Sequence, residues 1–243
     1  MISPLLQPFA GLGLLLALTT AATASTTAPE SAADTPAIRQ GAPYLLNACV
    51  ISGRSLPADG GVAIILDGPA DGKQTGREIR VCCTNCEGKF RKDPAKYIPK
   101  VDELIIADQM PRYPKDMNCV VMDAKSLPDP TGPDAKDCTL VVHKNRLVRL
   151  CCTRCHRKFE SDPAKYLAKL DAAAIRSQKA DYPLTTCVVT GGSLKTSSPW
   201  FMIGDRAVTI CCGGCKSKAM KDPRATVAKL DAARKSGTKK TDV

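Results

Sequence analysis

The spacing of polar and apolar residues follows one order three times along this chain. The segments "REIRV" at 77–81, "RLVRL" at 146–150 and "RAVTI" at 206–210 alternate polar and apolar residues, the period of a half-buried strand. Each runs straight into a cluster of cysteines, and a helix is expected to follow through "TNCEGKF" at 84–90 and its equivalents. Asp93, Asp162 and Asp222 each precede a proline. An N-cap residue followed by proline at the first helical position marks the start of a second helix. In the second copy of that helix Tyr166, Leu167, Leu170 and Ala174 recur at helical spacing and should face the core. Pro99 falls inside the first copy, which predicts a kinked or short helix there.

This order is an internal repeat. Three units align: Tyr44 to Gln109, Tyr113 to Gln178, and Tyr182 to about Ser236. Each opens with one cysteine, Cys49, Cys119 or Cys187, followed by Val and by a stretch whose Gly, Asp and Ser residues favour a tight turn. Each then reaches its strand and a CCxxC: "CCTNC" at 82–86, "CCTRC" at 151–155 and "CCGGC" at 211–215. Twelve of the thirteen cysteines are therefore three copies of one set, and Cys138 is left over. Units one and two insert Pro/Gly/Asp-rich loops between the first cysteine and the strand, which predicts longer hairpins; unit three lacks them. Unit three also has Ala219 and Thr226 where the others have Phe90, Phe159, Tyr97 and Tyr166. Its core should be thinner.

Composition sharpens the picture. Ten aromatic residues in 243 suit several small units better than one large core, and small units usually need disulfides or a metal to be stable. The net charge of +11 is that of a Lys-rich solvated surface, with an anion-binding face as the alternative. Residues 1–24 carry no charged side chain, hold an apolar run from about Phe9 to Leu18 and end in Ala22-Thr23-Ala24. That is the form of a signal peptide cleaved before Ser25, although a positive charge before the apolar run is missing. The run is too short to cross a bilayer, which takes about 20 apolar residues. The expectation is an exported protein, periplasmic or secreted, with no membrane span once the signal is removed. Residues 25–43 are small, polar and Pro-containing and are read as a disordered linker.

Export leaves several readings of the cysteines open. A lone cysteine on a turn, with further cysteines where a strand meets a helix, brings thiolates together from stiff elements, and helix N-terminal amides favour negative sulfur. That suits zinc, which takes about four ligands near 2.3 Å when they are sulfur, or Cu(I), which soft thiolates also bind. An oxidising compartment equally allows disulfides. A redox CxxC is the third reading, but such motifs usually sit in a βαβ setting, which these units lack.

The order C-V-x-[ST]-G, strand, CCxxC, KF, DP-x-K-Y, complete in "CCTNCEGKFRKDPAKY" and "CCTRCHRKFESDPAKY", resembles the YHS domain and its TRASH-like relatives, metal-binding modules of heavy-metal trafficking, resistance and sensing proteins. The resemblance implies a small α+β fold of three tandem treble-clef-like modules, each a β-hairpin plus helices, at 44–110, 111–179 and 180–236, the last degenerate, with a basic tail at 237–243. It implies as ligands Cys49, Cys82 and Cys86; Cys119, Cys151 and Cys155; and Cys187, Cys211 and Cys215. Cys83, Cys152 and Cys212 are either fourth ligands or buried thiols. The family's histidine has no match, and His143 and His156, which do not recur, are read as solvated or turn residues.

No nucleophile–base constellation repeats, so the expectation is a non-enzymatic protein binding Zn2+ or Cu+ for trafficking, storage or resistance. Its further partner would be another envelope protein or an anionic surface. The alternative is a scaffold, held up by zinc or disulfides, that presents the basic face "KFRKDPAKYIPK" and its copies. Related fingers in ribosomal proteins and the basic patch raise nucleic-acid binding, against which export argues.

Overall fold

The computed structural model describes residues 42–66 and 74–236. The expected signal peptide, most of the expected linker and the basic tail lie outside the described residues. Each module runs hairpin, short helix, long helix. The antiparallel hairpins pair β1 (Val62–Leu66) with β2 (Arg77–Val81), β3 (Thr139–His143) with β4 (Arg146–Leu150), and β5 (Trp200–Ile203) with β6 (Arg206–Thr209). The short helices are α1 (Thr84–Lys92), α3 (Thr153–Ser161) and α5 (Gly213–Lys221), and the long ones α2 (Pro94–Gln109), α4 (Pro163–Lys179) and α6 (Pro223–Lys235). The protein is thus a small α+β fold of three similar modules.

The helix starts follow the expected chemistry. Asp93, Asp162 and Asp222 accept hydrogen bonds from the backbone N–H of Lys96, Lys165 and Ala225 at 3.1, 3.2 and 3.0 Å, with proline next in each case. Pro99 does not shorten α2, which runs for 16 residues against 17 in α4. Its missing N–H would have bonded the carbonyl of Ala95, and both residues are exposed, so water can take that place. The insertion of module two does not lengthen its hairpin either. Lys144 and Asn145, at φ 47° and 62°, close β3 to β4 as a two-residue turn. The Pro/Asp-rich stretch lies before β3, where the Arg149 guanidinium donates to the carbonyls of Pro128 and Ala135, both at 2.8 Å.

The strands leading into the cysteines depart most from expectation. The alternation predicts one solvated face, yet every residue of β2, β4 and β6 is buried. On β4 and β6 the polar face is covered because the long helix of one module packs on the hairpin of the next, α2 on β3 and β4, α4 on β5 and β6. At β2 the Asn145 side chain of module two accepts from Arg77 and donates to the Glu78 carbonyl, both at 2.6 Å. The buried arginines are paired. Arg77, Arg146 and Arg206, which open the three strands, meet Asp102, Asp171 and Asp231 of their own long helices at 2.6, 3.2 and 3.1 Å. Burial lowers the Arg77 pKa and raises those of Asp102 and Asp171, with the partner charge offsetting part of the shift. Burial thus takes back part of what the pairing of Arg77 with Asp102 and of Arg146 with Asp171 contributes. Burial also works against Arg206, but Asp205, Asp231 and Asp108 outweigh it and raise its pKa.

A side-chain amide makes each junction. Gln109, at the end of α2, donates to the Asn145 carbonyl and accepts from the Leu147 N–H, both at 2.8 Å. Gln178, at the end of α4, does the same to the Asp205 carbonyl and the Ala207 N–H, at 2.8 and 3.0 Å. Among the described residues no helix precedes module one. There the backbone of Ala42, at the end of the stretch read as linker, donates to Gly76 at 2.7 Å and accepts from Glu78 at 3.1 Å. The main chain thus takes the place of the glutamine amide. Module three returns to module one through Arg224, which donates to the carbonyls of Tyr44 and Leu46 at 2.9 and 2.8 Å.

Three hydrophobic cores correspond to the three modules, and each borrows from another: Val142 packs into the first, Ile106 and Met110 into the second, Leu45 into the third. Phe90 with Tyr97 and Phe159 with Tyr166 anchor the first two, with ring centroids 6.1 and 6.3 Å apart. Module three moves its aromatics to the hairpin. Phe201 occupies the register position of Ile64 and Val141, and Trp200 meets Tyr182 edge-on at 4.9 Å. With Leu45 they offset the loss of bulk at Ala219 and Thr226, whereas Met220 points outward.

Gln178→Met keeps the length of the side chain but leaves the Asp205 carbonyl and the Ala207 N–H buried without a partner, a loss of about 1–3 kcal/mol. Urea unfolding should show a lower midpoint than for the exposed control Lys229→Ala. Equal midpoints would mean that the amide does not hold the junction.

Candidate metal centres

Three local structures converge on each centre. The first is a tight turn, in which the Cys49 N–H donates to the Arg54 carbonyl and the Gly53 N–H to the Cys49 carbonyl, both at 2.8 Å, with Gly53 at φ 70°. Cys187 repeats this with Gly192 and Gly191, both at 2.7 Å, and Cys119 bonds Lys125 at 2.8 Å across a turn one residue longer. The second is the end of β2, β4 or β6, which delivers Cys82, Cys151 or Cys211. The third is the start of the short helix, which carries Cys86, Cys155 or Cys215 in its first turn. Helix, strand and turn are each held by backbone bonds, so the thiols meet without depending on long side chains.

The result is three matching triads. In Cys49/Cys82/Cys86, Cys119/Cys151/Cys155 and Cys187/Cys211/Cys215 all sulfurs lie within 4.8 Å of one another. Strand and helix sulfurs are 3.6, 3.5 and 3.6 Å apart. Tetrahedral thiolates at a metal–sulfur distance near 2.3 Å would sit about 3.8 Å apart, so the triads could hold a metal ion. Among the described residues these are the groupings of His, Cys, Asp and Glu close enough to do so.

The second cysteine of each CC pair stands beside the triad. Cys83, Cys152 and Cys212 are the N-cap residues of α1, α3 and α5. Their sulfurs lie 3.8, 3.9 and 3.9 Å from the first cysteine of the pair, and Cys212 is also 3.6 Å from Cys215. Cys83 and Cys212 are exposed and Cys152 is half-buried, so none of the three is a buried thiol.

Electrostatics divides the thiols into two sets. Burial pushes Cys86 and Cys215 up to about 12, with neighbouring sulfurs adding to the shift, and raises Cys155 in the same way. Cys49 and Cys187 are also penalised by burial, but Ser52 or Thr190 and nearby backbone N–H groups more than offset it, lowering them to about 7 and about 6. Backbone N–H groups likewise lower Cys119. At the helix starts the N–H groups of Cys86, Cys155 and Cys215 lower Cys83, Cys152 and Cys212, Cys152 to about 7. Sulfurs this close cannot all carry charge unless a cation joins them, and binding one would expel the protons held by Cys86, Cys155 and Cys215.

Two hydroxyls belong to this picture. Ser52 Oγ lies 3.4 Å from Cys82 Sγ and Thr190 Oγ1 lies 3.5 Å from Cys211 Sγ. Their signal in the sequence is a hydroxyl three residues after the first cysteine; module two has Met122 there. The histidines stay apart from the triads. His143 stands edge-on to Phe159 at 5.4 Å and is half-buried, its pKa lowered by burial and by Lys144, while His156 pairs with Glu160 at 3.3 Å. Solvation describes His156 better than His143.

At neutral pH a limiting amount of iodoacetamide should label the exposed, low-pKa thiols Cys83 and Cys212 first and Cys86, Cys155 and Cys215 last. Peptide mass spectrometry reads the order, and uniform labelling would contradict it. No protein-family model, curated protein or solved structure matches the chain, and what it does is inferred from the geometry of these three centres.

Proposed function

We propose that this is an exported, non-enzymatic protein that binds heavy-metal ions, Zn2+ or Cu+, at three cysteine centres and serves metal trafficking, storage or resistance. The observation that carries this reading is the threefold recurrence of a thiol triad at metal-ligand spacing. The motif resemblance to YHS and TRASH-like modules supports it. The N-terminal pattern supports export, and among the described residues no helix is long and apolar enough to cross a membrane.

Handling metal is favoured over scaffolding by how the modules are held. Structural zinc supplies folding free energy, roughly 10–16 kcal/mol in small fingers, so stripping it unfolds them. Here the cores share residues, the glutamine amides join neighbouring modules and the Arg–Asp pairs fix each hairpin on its helix, all away from the sulfurs. A chain supported in this way can lose its ions and keep its shape. Three thiols with a fourth at the rim also suit exchange better than a closed cage does.

Native mass spectrometry of protein purified without chelator should find three ions per chain, and Cys86→Ser should leave two. Disulfides and no metal would refute the reading. Removing the ions with a competing thiol chelator should leave the helical circular dichroism in place. Loss of that signal in step with the metal would favour a scaffold and direct attention to the basic face.

A further inference from the structure

Cys138 has no counterpart in the other repeats, and its position in the hairpin register is informative. Thr139 pairs with Leu150 at the end of the β3–β4 ladder. The ladder ends at that pair, and the next residues on the two strands are Cys138 and Cys151, so continuing the register would set Cys138 opposite the strand cysteine of the second triad. Both residues line one cavity of about 300 Å3, together with Lys125 and Asp137. Directly opposed residues of antiparallel strands stand with Cα atoms about 4.5–5.5 Å apart, within the span of about 4.4–6.8 Å that a disulfide bridges. Continuing the register by one step in module one and by two in module three would place Gly61 opposite Cys82 and Ser198 opposite Cys211. A side chain at Gly61 would run into the Val81 carbonyl, 2.3 Å from its Cβ. Only module two carries a thiol at this position.

We propose that Cys138 and Cys151 form a reversible disulfide that competes with metal for the second centre, making it redox-controlled while the first and third are not. The oxidant is a low-molecular-weight disulfide. One protein thiolate attacks it, forming a mixed disulfide and releasing one small thiolate. The second protein thiolate then attacks the protein sulfur of that mixed disulfide and releases the other. The two cysteines lose two protons and two electrons, and the small disulfide becomes two thiols. Cys151 sits 3.5 Å from Cys155 in its triad, so bonding it to Cys138 withdraws a ligand and releases the ion unchanged. A bound ion, by holding Cys151, protects the pair in turn.

Formation of the bond stands on the register alone; its effect on metal rests on the function proposed above. The experiment treats reduced full-length protein with oxidised glutathione, with and without prior loading with zinc, and reads peptide maps and native mass spectra. Metal-free protein should give a Cys138–Cys151 cross-linked peptide, and subsequent zinc loading should reach two ions instead of three. Prior zinc should slow the cross-link at least tenfold. Cys138→Ser should give no such peptide and should load three ions after the same treatment. A dominant Cys152–Cys155 or Cys151–Cys155 bond, or glutathione adducts without a cross-link, would overturn the proposal. So would loss of one ion in Cys138→Ser to the same extent. If no form binds zinc, the metal reading fails while the cross-linked peptide still decides whether the disulfide forms.

Discussion

The amide of Gln109, bonded to both the carbonyl and the N–H that flank the start of β4, solves the problem from which the rest of the architecture follows. A two-stranded hairpin is marginal in water by itself and needs cover on at least one face. In this chain each hairpin uses one face for its own core and gives the other to a neighbouring module. The covering helix ends over a backbone that would otherwise be buried with unpaired polar groups. A primary amide carries one donor edge and one acceptor, spaced like a peptide group, and so it can continue the ladder where the helix has no strand to offer. With that face closed, Arg77, Arg146 and Arg206 are buried and must be paired, and Asp102, Asp171 and Asp231 lie one helix away.

The centres profit from this support. Each strand that is held on both faces leads into a triad cysteine, one residue on in modules one and two and two residues on in module three. The other two sulfurs of each triad come from a turn closed by backbone bonds and from the first turn of a helix. Similar scaffolds need not give identical sites. Ser52 and Thr190 face the strand sulfur in modules one and three, and the second centre has Met122 at that position and shares a cavity with Cys138. The chain therefore presents one backbone solution with three different surroundings.

Much of this was legible in the sequence, for a physical reason. Caps, turns, the strand-to-CCxxC order and the threefold cysteine set are local patterns, and local patterns survive without knowledge of packing. Which three sulfurs of each set come together was implied by the family resemblance and not by these local patterns. What could not be read is what depends on one module meeting another. The burial of both faces of β2, β4 and β6 overrides the alternation that suggested a solvated side. The fullness of the third core depends on Leu45 from the first module and on aromatics moved from helix to hairpin. One clue was present and carried no obvious meaning: a glutamine stands four residues before Tyr44, Tyr113 and Tyr182 alike. For Gln109 and Gln178 its sense lies in the contact between the helix that ends there and the hairpin of the next module, a contact that no single repeat contains.

The first module meets the same need with main chain, and this difference has an evolutionary consequence. Where Gln109 and Gln178 use side-chain amides, Ala42 uses its own peptide N–H and carbonyl. A side-chain solution ties the junction to one amino acid. A backbone solution is blind to the identity of the residue, so position 42 can drift through most of the genetic alphabet while the bond pattern persists. Proline, which lacks the donor, is the substitution that purifying selection should remove.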